Sequence, residues 1–424
     1  MESRKAGIWK QGILLALALK LAALVCLYAG WGFMEKKDWE FDSWMTRPDT
    51  SFVENLANFD GAWFIRLGVL GPQKLARGDY DPEKFARAFT VMDRMGYRQG
   101  LWPPEEGKQG FRGYGYRHWP LFYWMAGAAY RLGLDPLWSA VLLSNFLTIL
   151  YGAFLYVLAR KDLGQTAAVF CVALSQFHPG AYSLSAAYNE SLFLALAAGS
   201  MLSARDRRWW AAGLLAMFAA SSRIFGVVLA APLLYEWMEQ RAARSYGFGG
   251  YINTLGPDNL KHTLFSLVRR PLVWWIFLVP LGFVGVLIYY EVVAGDALIW
   301  TRVHEQNVHG QVGWPWEMMI QTYKKGWATW TKELPLHAAL LAVIVLSFRR
   351  VRGAYWVWMV LFFFFHTSNS NHSYLRYQVQ CLPMFIAVAA LVEDKPWLRS
   401  VLLCLSAALF GLFAAMFVNA YWVA

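Results

Sequence analysis

IWKQGILLALALKLAALVCLYAGWGF, residues 8–33, decides the fold class. The run is longer than the roughly 20 residues a helix needs to cross a bilayer. It has neither the short apolar core nor the small-residue cleavage site of a secretory signal, and it leads straight into an acidic loop, so it reads as an uncleaved first span. The rest of the chain agrees with a membrane setting. Of 424 residues, 58% are hydrophobic and 17% aromatic, and mean hydropathy is positive, which excludes an ordinary soluble domain.

Further apolar stretches fall near 138–159, 164–178, 190–204, 209–222, 224–238, 271–294, 333–348, 354–367, 375–392 and 397–420. The expectation is an all-α polytopic membrane protein of about 11 spans forming one transmembrane domain over 1–424. Basic residues concentrate in short loops: Arg4/Lys5/Lys10, Arg160/Lys161, Arg205/Arg207/Arg208, Arg241/Arg244, Arg349/Arg350/Arg352 and Lys395. If all are cytoplasmic, the N-terminus is inside and the C-terminus outside. Residues 119–134 are then re-entrant or interfacial, and 221–223 is an outward turn. The rival reading makes 119–134 a full span and 209–238 one long helix, which would put Arg160 and Lys161 outside.

Two large outward segments result, 34–118 and 295–332. In the first, Asp81-Pro82-Glu83 signals a helix N-terminus, with an apolar stripe at Phe85, Phe89 and Met92 that ends at Gly96. Gly107, Gly110, Gly113 and Gly115 predict a mobile approach to His118. The net charge of +11 resides mainly in the basic loops. It reads as topology and contact with anionic lipid, with no nucleic-acid partner. Cys26, Cys171, Cys381 and Cys404 lie in apolar stretches, without metal or disulfide spacing.

Asn58-Phe59-Asp60-Gly61-Ala62-Trp63-Phe64-Ile65-Arg66-Leu67 follows the first span. Phe59, Trp63, Phe64 and Leu67 recur at helical spacing, so the expectation is a helix lying on the bilayer with its apolar face down and Asp60 at its N-terminus. Asp60 there suits helix capping or a catalytic base at a lipid headgroup. Arg117-His118-Trp119-Pro120, Phe177-His178-Pro179, Tyr188-Asn189-Glu190-Ser191, Arg223 and the stretch from Ser368 to Tyr377 fall on the same face. Glu190 at the mouth of an apolar helix is costly unless paired, and Arg223 is one candidate partner. Arg376 can snorkel or clamp phosphate, with His372 and Tyr377 as added donors. The tryptophans of 295–332 read as an interfacial belt. His304 and His309 are five apart and do not share a helical face, so they do not form a zinc-protease pair. No Gly-rich phosphate loop and no dinucleotide fingerprint is present.

In series, Phe59-Asp60-Gly61-Ala62-Trp63-Phe64, Trp119-Pro120-Leu121-Phe122, Phe177-His178-Pro179, Ala186-Ala187-Tyr188-Asn189-Glu190-Ser191, Ser222-Arg223-Ile224-Phe225-Gly226 and Leu375-Arg376-Tyr377 with Pro383 resemble the PIG-V family. This is the GPI mannosyltransferase II group of GT-C membrane glycosyltransferases. The family's usual Trp-Asp is Phe59-Asp60 here, and its Arg-Ser-Asn-Gly is Arg223-Ile224-Phe225-Gly226. The resemblance implies a GT-C fold with amphipathic surface helices in a large first outer loop. It also implies inverting transfer of mannose from polyprenyl- or dolichyl-phosphate mannose to a lipid or glycan acceptor, with Asp60 as the catalytic acid of that loop.

On this expectation Arg223, Arg376, His118 and Arg117 bind the donor phosphate, while Glu190, Asn189, His178, His372, Tyr377 and Trp63 line the substrate. Lipid phosphate leaves as a stabilised anion, so no metal or other cofactor is expected. Compact loops favour a bacterial cytoplasmic membrane over the ER, with the site on the extracytoplasmic side. The alternatives are a flippase or transporter for lipid-linked sugars, which usually shows paired repeats and charges near the bilayer midplane, a non-catalytic scaffold subunit, and a GT-C enzyme with protein as acceptor or another hexose as donor. The polar residues cluster at one face, which favours an enzyme.

Overall fold

The structure, a computed structural model, describes residues 2–37, 50–77, 114–246, 271–306, 313–324, 327–368 and 373–423. Among the described residues the fold is helical, with no strand. The helices are α1 (Glu2–Trp31), α2 (Asp60–Arg77), α3 (Pro120–Arg131), α4 (Pro136–Ala159), α5 (Gln165–Gln176), α6 (Glu190–Arg205), α7 (Trp209–Ser222) and α8 (Ala230–Tyr246). They continue as α9 (Leu278–Ala294), α10 (Ile299–Gln306), α11 (Pro315–Lys324), α12 (Trp327–Ser347), α13 (Gly353–Thr367), α14 (Tyr374–Gln378), α15 (Leu382–Leu391) and α16 (Pro396–Val418). Within the described residues four segments, 6–31, 136–159, 274–294 and 396–418, are helices long and apolar enough to cross a membrane, joined by shorter apolar helices. The chain is an all-α integral membrane protein. The expected helix at 81–96, the glycines at 107–113, His309 and His372 lie outside the described residues.

Local chemistry sets the helix starts. Asp135 caps α4 by accepting from the amides of Leu137 at 2.9 Å and Trp138 at 3.1 Å, and Pro136 at the first helical position gives up no hydrogen bond. Pro120 opens α3 in the same way after extended Trp119. At 12 residues, α3 reaches only about 18 Å, too short to cross the hydrocarbon. It ends before Gly133, whose φ of 100° turns the chain into α4.

The basic loops gather at one end of the bundle. Lys161 meets Asp206 at 2.5 Å, and Arg205 grips both oxygens of Asp162 at 2.6 and 2.7 Å. Buried Glu236 accepts from Arg352 at 2.9 and 3.0 Å, and the Gly164 amide donates to Glu393 at 2.7 Å. The N-terminal part of α1 joins this end through Tyr156 donating to Gln11 at 3.1 Å. At the other end, the Asn419 amide donates to Gly30 O at 2.8 Å, fastening the last turn of α1 to the end of α16. This arrangement matches the expected grouping of the charged loops.

Three expectations change in detail. α2 packs into the protein instead of lying flat on lipid: Ala62, Phe64, Ile65 and Leu67 are buried. Gly68 of α2 touches Gly127 of α3 so closely that a Cβ on Gly127 would lie 2.2 Å from the Gly68 carbonyl oxygen. The stretch 375–392 is two pieces, α14 and α15, broken at 379–381 before Pro383. Finally, 224–238 begins as a tight 3-10 turn, Ile224–Leu229, and becomes α-helical only at Ala230.

Candidate active site

The segment before Asp60 is folded back sharply. Phe59 holds φ at 57°, a left-handed conformation that bulky residues adopt at a cost of order 1–3 kcal/mol. The surroundings hold it there. Tyr188 donates from its hydroxyl to Asn58 O at 2.9 Å, the Ala187 amide donates to Leu56 O at 2.9 Å, and the Asn58 side chain donates to Phe417 O at 3.0 Å. These bonds aim the first residue of α2, Asp60, at the segment that carries Glu190. Lys20, buried in α1, fastens the other end of that segment by donating to Leu184 O at 3.0 Å and Ser185 Oγ at 2.6 Å.

Asp60, Arg376, Glu190 and Arg223 form one ionic chain. Arg376 Nη1 donates to Asp60 Oδ2 at 2.7 Å, and its Nε lies 3.1 Å from Glu190 Oε1. The same Glu190 oxygen lies 3.0 Å from Arg223 Nη1, which also donates to Asn189 Oδ1 at 2.6 Å. Tyr377 lies under both cations, with its ring centre 5.0 Å from the Arg223 guanidinium and 4.9 Å from that of Arg376. Its hydroxyl accepts from Arg376 Nη2 at 3.2 Å. The Tyr188 ring flanks Arg376 on another side at 4.9 Å.

The two arginines are not equivalent. Arg376 is 7% exposed, donates hydrogen bonds from both Nη nitrogens, to Asp60 and Tyr377, and holds its Nε beside Glu190 as an ion pair. Arg223 is 15% exposed, and among the described residues its protein hydrogen bond and ion pair run through Nη1. It stands in extended conformation (φ −155°, ψ 142°) where α7 stops, so its side chain leaves the helix axis toward the chain of charges. The Asp60 side chain keeps 24% of its surface open, while Glu190, at 1%, is enclosed. The acid with an outlet is therefore Asp60, and Glu190 is the internal counter-charge.

Burial works against ionisation of Asp60. The positive charges of Arg376, His118 and Arg117, with the Arg376 hydrogen bond, outweigh it and hold the carboxyl well below the ordinary carboxylate range. His118 behaves oppositely. Burial, aided by Arg117, Arg376 and Arg223 and opposed by Asp60, lowers its pKa to about 4, so at neutral pH the imidazole is uncharged. Arg376 and Arg117 then carry the charge that keeps Asp60 ionised. His118 is gripped by residues one turn beyond Asp60: Trp63 stacks on it at 6.2 Å and 17°, and Phe64 meets it edge-on at 4.9 Å.

Asp60, Trp63, Arg117, His118, Asn189, Glu190, Arg223, Arg376 and Tyr377 thus come together. His178 does not join them. Its Nδ1 accepts from the Gly180 amide at 3.1 Å, and its ring meets Phe385 edge-on at 5.7 Å. The turn it stabilises lies directly under the Leu375–Arg376 backbone, so it supports Arg376 from below. Tyr188 and His366, at the same end of the bundle, are neighbours that the sequence motifs did not assign. The signal for His366 was an ionisable side chain closing a Phe-rich helix.

Residues 117–245 match the family model for dolichyl-phosphate-mannose-protein mannosyltransferases. The chain is similar, over those 129 of its 424 residues, to GT-C-type mannosyltransferases. The matched stretch runs from Arg117 and His118 through α3 to α8. It includes Asn189, Glu190 and Arg223 and leaves Asp60 and Arg376 outside. No curated protein matches this chain.

Proposed function

We propose that this protein transfers mannose, with inversion, from a polyprenyl- or dolichyl-phosphate mannose to a lipid or glycan acceptor at the extracytoplasmic face of its membrane. The observation that carries the reading is an ionised, partly open Asp60 in one chain with two arginines, at the bundle end opposite the basic loops. The preference of basic loops for the cytoplasmic side supports an extracytoplasmic Asp60. The match to dolichyl-phosphate-mannose-protein mannosyltransferases supports the donor class, and the glycolipid-type acceptor is what the PIG-V-like series around Asp60, Glu190, Arg223 and Arg376 suggests.

The acceptor hydroxyl attacks the anomeric carbon on the face opposite the phosphate. The carbon–oxygen bond to phosphate breaks, and the hydroxyl proton passes to Asp60. A carboxylate held as firmly ionised as this one is a weak base. It suffices because the hydroxyl becomes acidic as its new bond forms, and the fixed negative charge also steadies the cationic sugar in the transition state. A glycosidase needs a second acid for its alkoxide leaving group. Lipid phosphate departs as an anion, and Arg223, with its unspent donors, is the cation best placed to receive it. Transfer by these groups calls on no metal.

The test is release of polyprenyl phosphate from radiolabelled polyprenyl-phosphate mannose by the purified protein in nanodiscs, with a membrane extract supplying acceptor. Asp60→Asn should lower the rate by roughly 10²–10⁴ while the protein stays folded. Full activity in that variant would remove Asp60 from the chemistry.

A further inference from the structure

His366 ends the apolar run Phe362-Phe363-Phe364-Phe365 of α13. Its side chain is only 5% exposed, and its Nε2 has no hydrogen-bond partner among the described residues. A packing role does not explain that atom, since a phenylalanine would fill the space without burying an unsatisfied nitrogen. The ring rests against Phe362 at 4.2 Å, Phe225 at 5.4 Å and Tyr377 at 5.5 Å. The same tyrosine ring lies 5.0 Å from the Arg223 guanidinium, and Phe225 follows Arg223 by two residues. The break after α7 and the end of α13 therefore bring a cation with unspent donors and an imidazole with an unspent nitrogen to one tyrosine.

We propose that Arg223 and His366 form a phosphate subsite, in which the guanidinium edge and the imidazole Nε2–H hold the phosphate of an isoprenoid-linked sugar. The assignment rests on the transferase reading for the sugar, but its phosphate chemistry stands on this geometry. The walls are apolar: Phe225, Phe362 and Phe365 surround the imidazole, and Phe364 on the next face of α13 is exposed where lipid would lie. That order, polar groups at the helix end and aromatic rings along its body, is the order of an isoprenyl phosphate. A free phosphate ion would gain nothing from it. Arg376 cannot substitute for Arg223 here, because both of its Nη nitrogens are already hydrogen-bonded and its Nε is turned to enclosed Glu190.

The test titrates the full-length protein in nanodiscs with polyprenyl phosphate, polyprenol and inorganic phosphate, for wild type, His366→Phe and His366→Gln. Wild type should prefer polyprenyl phosphate. His366→Phe should weaken that ligand about 10-fold or more, the size expected for one hydrogen bond to a charged group, and leave polyprenol unchanged. His366→Gln, whose amide can donate from nearly the same point, should recover part of the loss. In 15N-histidine-labelled wild type, polyprenyl phosphate but not polyprenol should shift the His366 Nε2 resonance, assigned with His366→Gln, so the question does not depend on whether His366→Phe folds. Equal binding of polyprenyl phosphate by wild type and His366→Phe, with an unmoved resonance, overturns the subsite even if Asp60→Asn abolishes transfer. Equal affinity for inorganic phosphate overturns the lipid assignment. A wild type that binds polyprenyl phosphate with this His366 dependence but transfers no sugar sinks the transferase reading and leaves the subsite standing.

Discussion

Asp60 faces Arg376, Arg117 and His118, with Glu190, Tyr377, Tyr188 and Tyr182 as the acidic and phenolic groups around the same Arg376 cation. Its folded-state pKa is depressed, so its pairing with Arg376 stabilises the fold above the ordinary carboxylate pKa of about 4 and is lost only as pH falls further. The wild-type rate should accordingly show no acid limb from Asp60 at ordinary assay pH. In Arg376→Gln the largest lowering charge and its hydrogen bond are gone, while burial, which raises the pKa, and the weaker pull of Arg117 remain. The acid limb of kcat/KM should then move up toward the ordinary carboxylate range, and a pH–rate profile of the two proteins checks it. An unmoved limb would mean that Arg376 does not govern Asp60. The sequence could point to Asp60, Glu190, Arg223 and Arg376 because charges beside apolar helices are costly and must be answered by one another. It could not separate Arg376 from Arg223, since the distinction lies in how many nitrogens each has left. His366 was hidden for a related reason: its unpaired atom is visible only once its neighbours are in place.

At the level of elements, the turn His178-Pro179-Gly180 shows how support differs from chemistry. A Cβ on Gly180 would lie 2.2 Å from Leu375 O and 3.0 Å from the Arg376 Cα, so alanine there must push the backbone that carries Arg376. Gly180→Ala should lower kcat/KM by about 10²-fold, the scale of an ångström-sized misplacement. Gly285→Ala in α9, where nothing lies within 4 Å of the new Cβ, should leave it unchanged. Steady-state kinetics on the pair decides. Sequence periodicity identified α2 and its acidic first residue, but not what its apolar side meets. The spacing of Phe64 and Leu67 is the same against lipid or against α3, and the deciding feature, the contact of Gly68 with Gly127, is between residues 59 positions apart. The stretch 375–392 was equally ambiguous, because a continuous apolar run does not reveal that Pro383 starts a second helix.

Across the whole molecule, the grouping of the basic loops was the most legible property. Short basic loops are placed by the membrane itself, and they do gather at one end through Arg205, Asp162, Glu236 and Arg352. α6 joins that network to the site, with Arg205 as its last residue and Glu190 as its first. Its 16 residues rise only about 24 Å, less than the roughly 30 Å thickness of a typical hydrocarbon layer. With Arg205 at the headgroups of one side, the Asp60 chain falls short of those of the other unless the bilayer thins around it. The enzyme should act as a gauge of bilayer thickness. In nanodiscs built from progressively longer acyl chains, turnover should fall with each lengthening while the melting temperature changes little, since a thicker layer lifts the acceptor's headgroup away from the carboxylate. Turnover that ignored chain length would place the site level with the headgroups after all.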